Sequence, residues 1–297
     1  MIEVRDVVKT FDGFRALDNI NITVPKGAVY GLVGPNGSGK STVIRHITGV
    51  YRQDSGTVRV NGQDIFENIA VKQKMAYIPD DIFYFLKSNI MDMMKYYKGI
   101  YNNFDTERFE KMREVFRLDL KTPIRKFSKG MQKQAAFWLA ISTRPEVLIL
   151  DEPVDGLDPV MRRQIWSIIM GDVLENGTTV LISSHNLREL EDICDHVGII
   201  SHGKTLIERS LSELQENVCK VQTVLNDSGA MPQGLDILHE QQSGKIKTLI
   251  VRGRTEEIST KMEAAAPLFY DMVPLSLEEI FIYELGGEDY AVKDVVL

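Results

Sequence analysis

Cysteine is almost missing from this chain of 297 residues: Cys194 and Cys219 are its two thiols, and neither lies in a CxxC pair or a His cluster. That excludes a disulfide framework and a thiolate metal site, and it fits a reducing compartment with buried thiols. Long hydrophobic runs are missing too. The most apolar stretches, such as Ala135 to Ile141 and Val147 to Leu150, fall short of the roughly 20 apolar residues that cross a bilayer. The opening MIEVRDVVKTF alternates like a strand and lacks the apolar centre of a secretory signal, so a cytoplasmic location is expected. There is no basic excess either. The net charge is −7, which disfavours a nucleic-acid partner. No internal repeat or low-complexity tract is present. What remains is an ordinary globular composition, 43% apolar and 26% charged, in a chain long enough for one large core or two domains.

Against that plain background one stretch stands out. Gly34 to Thr42 reads GPNGSGKST, directly after the apolar run Ala28 to Val33 and before the helix-like Val43 to Ile47. The form is G-x-x-x-x-G-K-S in a strand-loop-helix setting. Glycines let successive backbone N–H groups of Gly34, Asn36, Gly37, Ser38 and Gly39 converge on phosphate oxygens, and the helix beginning near Lys40 adds its positive end. Lys40 is long enough to reach the outer phosphates. Ser41, with Thr42 beside it, offers the hard hydroxyl oxygen that Mg²⁺ prefers. An ordinary glycine-rich turn would not need this whole pattern.

The rest of the chain alternates strands and helices. Ile2 to Phe11 and Arg15 to Val24 form a hairpin-like entry around Asp12-Gly13, and Asn61-Gly62 follows the strand Thr57 to Val60. Pro79 stops the run Val71 to Ile78. From about Ser88 to Arg144 the texture is helical: Asn89 to Tyr97, Thr106 to Phe116, and Met131 to Ser142, the last with Ser128 as N-cap. Strand character returns at Glu146 to Leu150, Val180 to Ser183 and Val197 to Ile200. This order implies an α/β fold with a mostly parallel central sheet, an antiparallel entry and an inserted helical lobe. Beyond about Arg209 the pattern changes: Leu211 to Val218 and Leu275 to Leu285 read as helices, Lys220 to Leu225 and Lys245 to Val251 as strands, with turns at Asp227-Ser228-Gly229 and Ser243-Gly244. A small α+β appendage is expected there.

The second chemical feature is Val147-Leu148-Ile149-Leu150-Asp151-Glu152, an apolar strand ending in two acids. Carboxylates at the C-terminal edge of a parallel strand face the crevice where ligands sit. Asp151 can hold Mg²⁺, and Glu152 can take a proton from an attacking water. Taken alone, the pair could equally be an acidic turn.

With these residues in place, the chain resembles the ATP-binding subunits of ATP-binding cassette (ABC) transporters, over the span from the N-terminus to about Gly203. Gly34 to Ser41 matches the Walker A loop of this P-loop NTPase family, Val147 to Asp151 the Walker B strand, and Glu152 the catalytic glutamate. Gly156-Leu157-Asp158-Pro159 matches the D-loop, His185 the switch histidine, and Ser128-Lys129-Gly130-Met131-Gln132 the family signature in its KGM variant. Phe11 lies where the family places an aromatic against adenine, with Phe14 as a nearby rival.

The resemblance implies an ABC ATPase domain over 1–209, with a helical lobe at about 85–145, and an accessory α+β domain over 210–297. It implies ATP and Mg²⁺ as cofactors, with Glu152, His185 and Lys40 catalytic and Ser41, Asp80 and Asp151 around the metal. It further implies that Asp158 belongs to the nucleotide-binding residues, and that Ser128 with the N–H groups of Lys129 and Gly130 completes the site of a second copy or a homologous subunit in a head-to-tail dimer. Transmembrane subunits would hold the chain at the inner face of the membrane. The KGM signature and the tail Pro274 to Phe281, similar to a segment common in exporter-type (ABC-2) cassettes, favour export. A soluble cassette acting on ribosomes or DNA is the alternative. Its two-cassette and coiled-coil forms do not match one phosphate loop and a short insert.

Three departures from the family pattern are notable. Asp80-Asp81 stands after Pro79 where Gln or Glu is usual, and Asp80 is expected to keep the coupling role. Met131, Gln134, Val154 and Asp155 also differ from the common residues. The run Ile82-Phe83-Tyr84-Phe85-Leu86, whose default is core, is expected in part to receive the membrane partner.

Overall fold

The computed structural model describes residues 1–216, 218–226, 231–273 and 275–284. It contains two compact units, Met1–Glu208 and Arg209–Leu297.

The first unit opens with a hairpin, β1 (Ile2–Phe11) and β2 (Phe14–Val24). Asp12 and Gly13, at φ 47° and 84°, form the two-residue turn that matches strand twist. Strands β3 (Val29–Val33), β4 (Ser55–Val60) and β5 (Gln63–Asp64) follow. Asn61 and Gly62 repeat the positive-φ turn between β4 and β5. These strands build the antiparallel sheet β2-β1-β4-β5 and leave β3 to the central one.

The central sheet contains β6 (Met75–Ile78), β7 (Val147–Asp151), β8 (Thr179–Ser184), β9 (His196–Ser201) and β10 (Lys204–Ser210), in the order β10-β9-β3-β8-β7-β6. Its pairings β6 with β7, β7 with β8, and β3 with both β8 and β9 are parallel. Every residue of β3, β7 and β8 is buried, as expected for strands covered on both faces. The two sheets share one core. Ile2, Val4, Ile20 and Ile22 from the hairpin meet Tyr30, Leu32, Ile149 and Leu181 around Val43, Ile44 and Ile47 of α1 (Lys40–Ile47).

After α2 (Ile69–Lys72) and β6 come the helices between β6 and β7: α3 (Ile90–Ile100), α4 (Thr106–Phe116) and α5 (Lys129–Ile141). Asn89 and Asp92 cap α3 reciprocally, and the Asp105 carboxylate accepts the Arg108 N–H at the start of α4. Trp138 stacks between Phe109 and Phe116, with ring centroids 4.8 Å and 5.8 Å away, and donates its indole N–H to the Phe109 carbonyl. A buried bidentate pair, Arg108 with Asp172, ties α4 to α6 (Pro159–Asn176), both bonds 2.6 Å long. The short α7 (Arg188–Glu191) precedes β9.

The second unit is an antiparallel sheet, β12 (Asp236–Ser243), β13 (Ile246–Arg252), β11 (Val218–Val224) and β14 (Phe269–Val273) in that order. Its helices are α8 (Leu211–Glu216), α9 (Thr255–Ala264) and α10 (Leu277–Glu284). Val221, Leu249 and Val251 pack against Ile258 and Met262 of α9. Val218, expected at the end of a helix, instead opens β11, where it pairs with Arg252. A β-branched residue heading an alternating run suits the pleat better than a helix end. Strands β12 and β14 and helix α9 have no counterpart in the sequence reading. The first is the exposed, polar edge DILHEQQS, the second is a short edge strand, and the third buries only Ile258 and Met262. Ser276 and Glu279 cap α10 as expected, the Ser276 Oγ accepting from Glu279 N and the Glu279 carboxylate from Ser276 N. The turn at 227–229, Pro274 and the chain after 284 lie outside the described residues. Among the described residues no helix is long and apolar enough to cross a membrane.

Candidate nucleotide site

The loop between β3 and α1 is shaped by its glycines. At Gly34 a Cβ would stand 2.3 Å from the Ile200 carbonyl oxygen, so backbone from β9 closes over the loop where only hydrogen fits. Gly39 has φ 112°, a conformation that a side chain would oppose. A cleft of 510 Å³ opens beside them. It is lined by Asn36, Gly37, Gly39, Lys40, Ser41 and Thr42 of the loop, by Phe11 and Phe14 of the hairpin, and by Asp80 and Glu152 at the strand ends.

Lys40 is buried, and its Nζ donates to the carbonyls of Gly34 at 2.6 Å and Pro35 at 3.3 Å. The same Nζ lies 3.6 Å from Glu152 Oε1. Glu152 Oε2 in turn is 2.9 Å from His185 Nδ1. Lys40, Glu152 and His185 therefore form one chain of contacts across the ends of β3, β7 and β8. Below them Ser41 Oγ donates to Asp151 Oδ1 at 3.3 Å, and Ser183 Oγ donates to the same oxygen at 2.5 Å. The Ser41 hydroxyl and the Asp151 carboxylate, which meet here, are hard oxygens of the kind that suit Mg²⁺; Asp80, the third expected ligand, lines the cleft with its carboxylate 3.5 Å from Lys133 Nζ. Ser38 Oγ is buried within the loop with no hydrogen-bond partner, the kind of orphan donor that a phosphate oxygen would satisfy.

Phe11 meets Tyr51 edge to face at 5.4 Å, with Lys9 Nζ 5.4 Å from its own ring centroid. Phe14 is 69% exposed in the same cleft. The aromatic end thus has three rings, with Tyr51 beside the expected Phe11 and its rival Phe14. Tyr51 also holds Arg45, whose guanidinium lies 5.7 Å over its ring; Arg45 lines the cleft too. Tyr51, Arg45 and Ser183 were missed by sequence reasoning. An aromatic residue just after α1 was the one available signal, and Ser183 carried none. Burial, reinforced by Asp151, pushes the Tyr77 phenol up to about 12, so it stays neutral.

The signature residues lie elsewhere. None of 128–132 lines the cleft. Ser128 caps α5, its Oγ accepting from Met131 N at 3.3 Å. A Cβ on Gly130 would stand 2.4 Å from the Gly156 carbonyl, so this glycine lets α5 press against the loop before α6. Asp158 caps α6 by accepting the N–H groups of Val160 and Met161.

Comparison with known proteins agrees with this geometry. The ABC transporter family model matches residues 17–155. The ABC transporter ATP-binding protein YtrB of Bacillus subtilis is 30% identical over 97% of this chain and 99% of its own length. The daunorubicin/doxorubicin resistance ATP-binding protein DrrA of Streptomyces peucetius is 35% identical over 73% of this chain and 67% of its own. Among solved structures, an ATP binding subunit of an ABC transporter superimposes with a TM-score of 0.68 at 26% identity, covering 72% of this chain and 92% of that one. The dimeric structure of the bacterial cassette MJ0796 reaches 0.65 at 20% identity, covering 71% and 99%, and shares the fold. A phosphate loop after β3, an acid pair at the end of β7 in the same sheet and a full-length relative at this identity converge, and the chain belongs to the ABC transporter family as an ATP-binding subunit with the P-loop NTPase fold.

Proposed function

We propose that this subunit hydrolyses ATP within a head-to-tail dimer and thereby powers export through separate membrane subunits. The observation that carries the reading is the contact chain Lys40, Glu152, His185 at the mouth of the cleft. A nucleotide seated on the loop would draw Lys40 Nζ from the Gly34 and Pro35 carbonyls onto its outer phosphates. That leaves Glu152 free of the ammonium and able to take the proton of an attacking water. His185 fixes the carboxylate from the other side. Ser41, Asp151 and Asp80 would hold Mg²⁺, which supplies charge stabilisation to the phosphates when bound.

Ser128 and the N–H groups at the start of α5 are absent from the chain's own cleft, which supports their use on the nucleotide of a second copy, as in a cassette that forms dimers. The docking reading of 82–86 is supported by exposure. Phe83, Phe85 and Leu86 are 74%, 52% and 75% exposed, while Tyr84 turns inward and donates its hydroxyl to the Gln132 carbonyl. Export rests on the resistance function named for DrrA and on the signature variant.

Glu152→Gln tests the assigned base. Turnover should fall about 10²- to 10⁴-fold with ATP binding kept, and a variant hydrolysing ATP near the wild-type rate would remove Glu152 from the role. Co-purification from the native host with a hydrophobic multi-span subunit tests the transport assignment; recovery with ribosomes or DNA instead overturns it.

A further inference from the structure

Helix α5 carries a buried cation that the catalytic scheme does not use. Lys133 has a side chain only 7% exposed, two residues before the wholly buried stretch Ala135 to Ile141. An ammonium in such a place requires partners, and its position is dictated by where they are. Lys133 Nζ donates to the backbone carbonyl of Glu152 at 2.6 Å and lies 3.5 Å from Asp80 Oδ1. Both partners border the nucleotide cleft.

Glu152 is an unusual residue to be held this way. Its φ is 46°, in the left-handed region, where a side chain other than glycine's persists only if its surroundings impose it. On the N–H side the surroundings are Ser183, whose hydroxyl and carbonyl both accept the Glu152 N–H, at 3.1 Å and 3.2 Å. On the carbonyl side Lys133 makes the short bond. The two peptide units that set the direction of the Glu152 side chain are therefore fixed from β8 and from α5. The third group, Asp80, is the acid that stands where the family usually has Gln or Glu. It lines the cleft, and its cation partner is Lys133.

We propose that Lys133 is a positioning residue for hydrolysis: it pins Glu152 in its left-handed conformation and neutralises Asp80, so that one ammonium sets the catalytic carboxylate and the loop after β6 from the signature helix. The proposal rests on the reading of Glu152 as base. It also says how the Asp80 departure is tolerated, since the acid and the lysine form a pair.

The test uses the full chain and measures kcat, KM and the affinity for trinitrophenyl-ATP. Lys133→Met, which removes both bonds and keeps the bulk, should lower kcat about tenfold while KM and analogue affinity stay within about twofold. Its melting temperature should fall, because the Glu152 carbonyl and Asp80 lose their partner, so kcat is measured at a temperature where the variant is folded. Lys133→Arg keeps charge and donors and should retain about a third of the turnover or more, so it decides the matter even if the methionine variant folds poorly. In the double variant Lys133→Met/Asp80→Asn the loss should be smaller than the product of the single losses by about threefold. Wild-type kcat in a folded Lys133→Met protein, an inactive but folded Lys133→Arg, or strictly multiplicative losses would overturn the proposal. Active Lys133→Met beside inactive Glu152→Gln rejects this inference alone; active Glu152→Gln removes the base assignment and takes the inference with it.

Discussion

The two glycine-bearing helix starts of this chain, those of α1 and α5, are built for different company. The start of α1 is enclosed by its own molecule. Gly34 lies under the Ile200 carbonyl, Lys40 is tied to Gly34 and Glu152, and Ser41 to Asp151. The start of α5 has a Ser128 cap and a Gly130 pressed on Gly156, and no residue of 128–132 lines the cleft. Two similar local motifs, a glycine-bearing turn and a helix N-terminus, thus differ in whether the chain supplies the opposite wall. A helix start is only potential for binding anions; the groups facing it decide whether it forms a site within one molecule.

Substitutions at the two helix starts can break this contrast. Lys40→Ala should have the largest effect, reducing turnover about 10²- to 10³-fold and weakening ATP binding even by the dilute single chain. Ser128→Arg should lower turnover about tenfold or more yet leave ATP binding by the dilute chain within about twofold. Equal damage to binding from both variants would mean that α5 serves its own cleft and would end the contrast. Gly130→Ala should lower unfolding stability by about 1–3 kcal/mol in denaturant titration, because its methyl would meet the Gly156 carbonyl. Phe11→Ala should raise KM only about fivefold, the low end of the range for a lost base-stacking ring, since Phe14 and Tyr51 line the same cleft. A loss of 100-fold would assign the base to Phe11 alone.

Much of this was legible along the chain. The phosphate loop, the acid pair after β7 and the Ser128 cap are local patterns whose chemistry depends on neighbours within a few residues. The run at 82–86 was only half legible. Alternation or helical spacing could not say that Tyr84 alone turns inward, because that follows from the Gln132 carbonyl on another element. Lys133 carried no sequence signal, since one lysine in a helix start usually faces water. The accessory unit was read worst, as its edge strands bury little and so lack a hydrophobic period.

The sequence by itself determined the chemistry: a loop of glycines ending in Lys40 and Ser41, two acids after an apolar strand, and a family to which both belong. Tertiary structure alone decided the assembly. It brought Lys40 within 3.6 Å of Glu152 and His185 within 2.9 Å, from segments more than a hundred residues apart at the extremes, by laying β3, β7 and β8 side by side in parallel. It also pinned Glu152 between Ser183 and Lys133, and left Ser128 outside the cleft. Residue type fixes which bonds a side chain can form, but partners distant in sequence meet only where packing of the sheet and helices puts them.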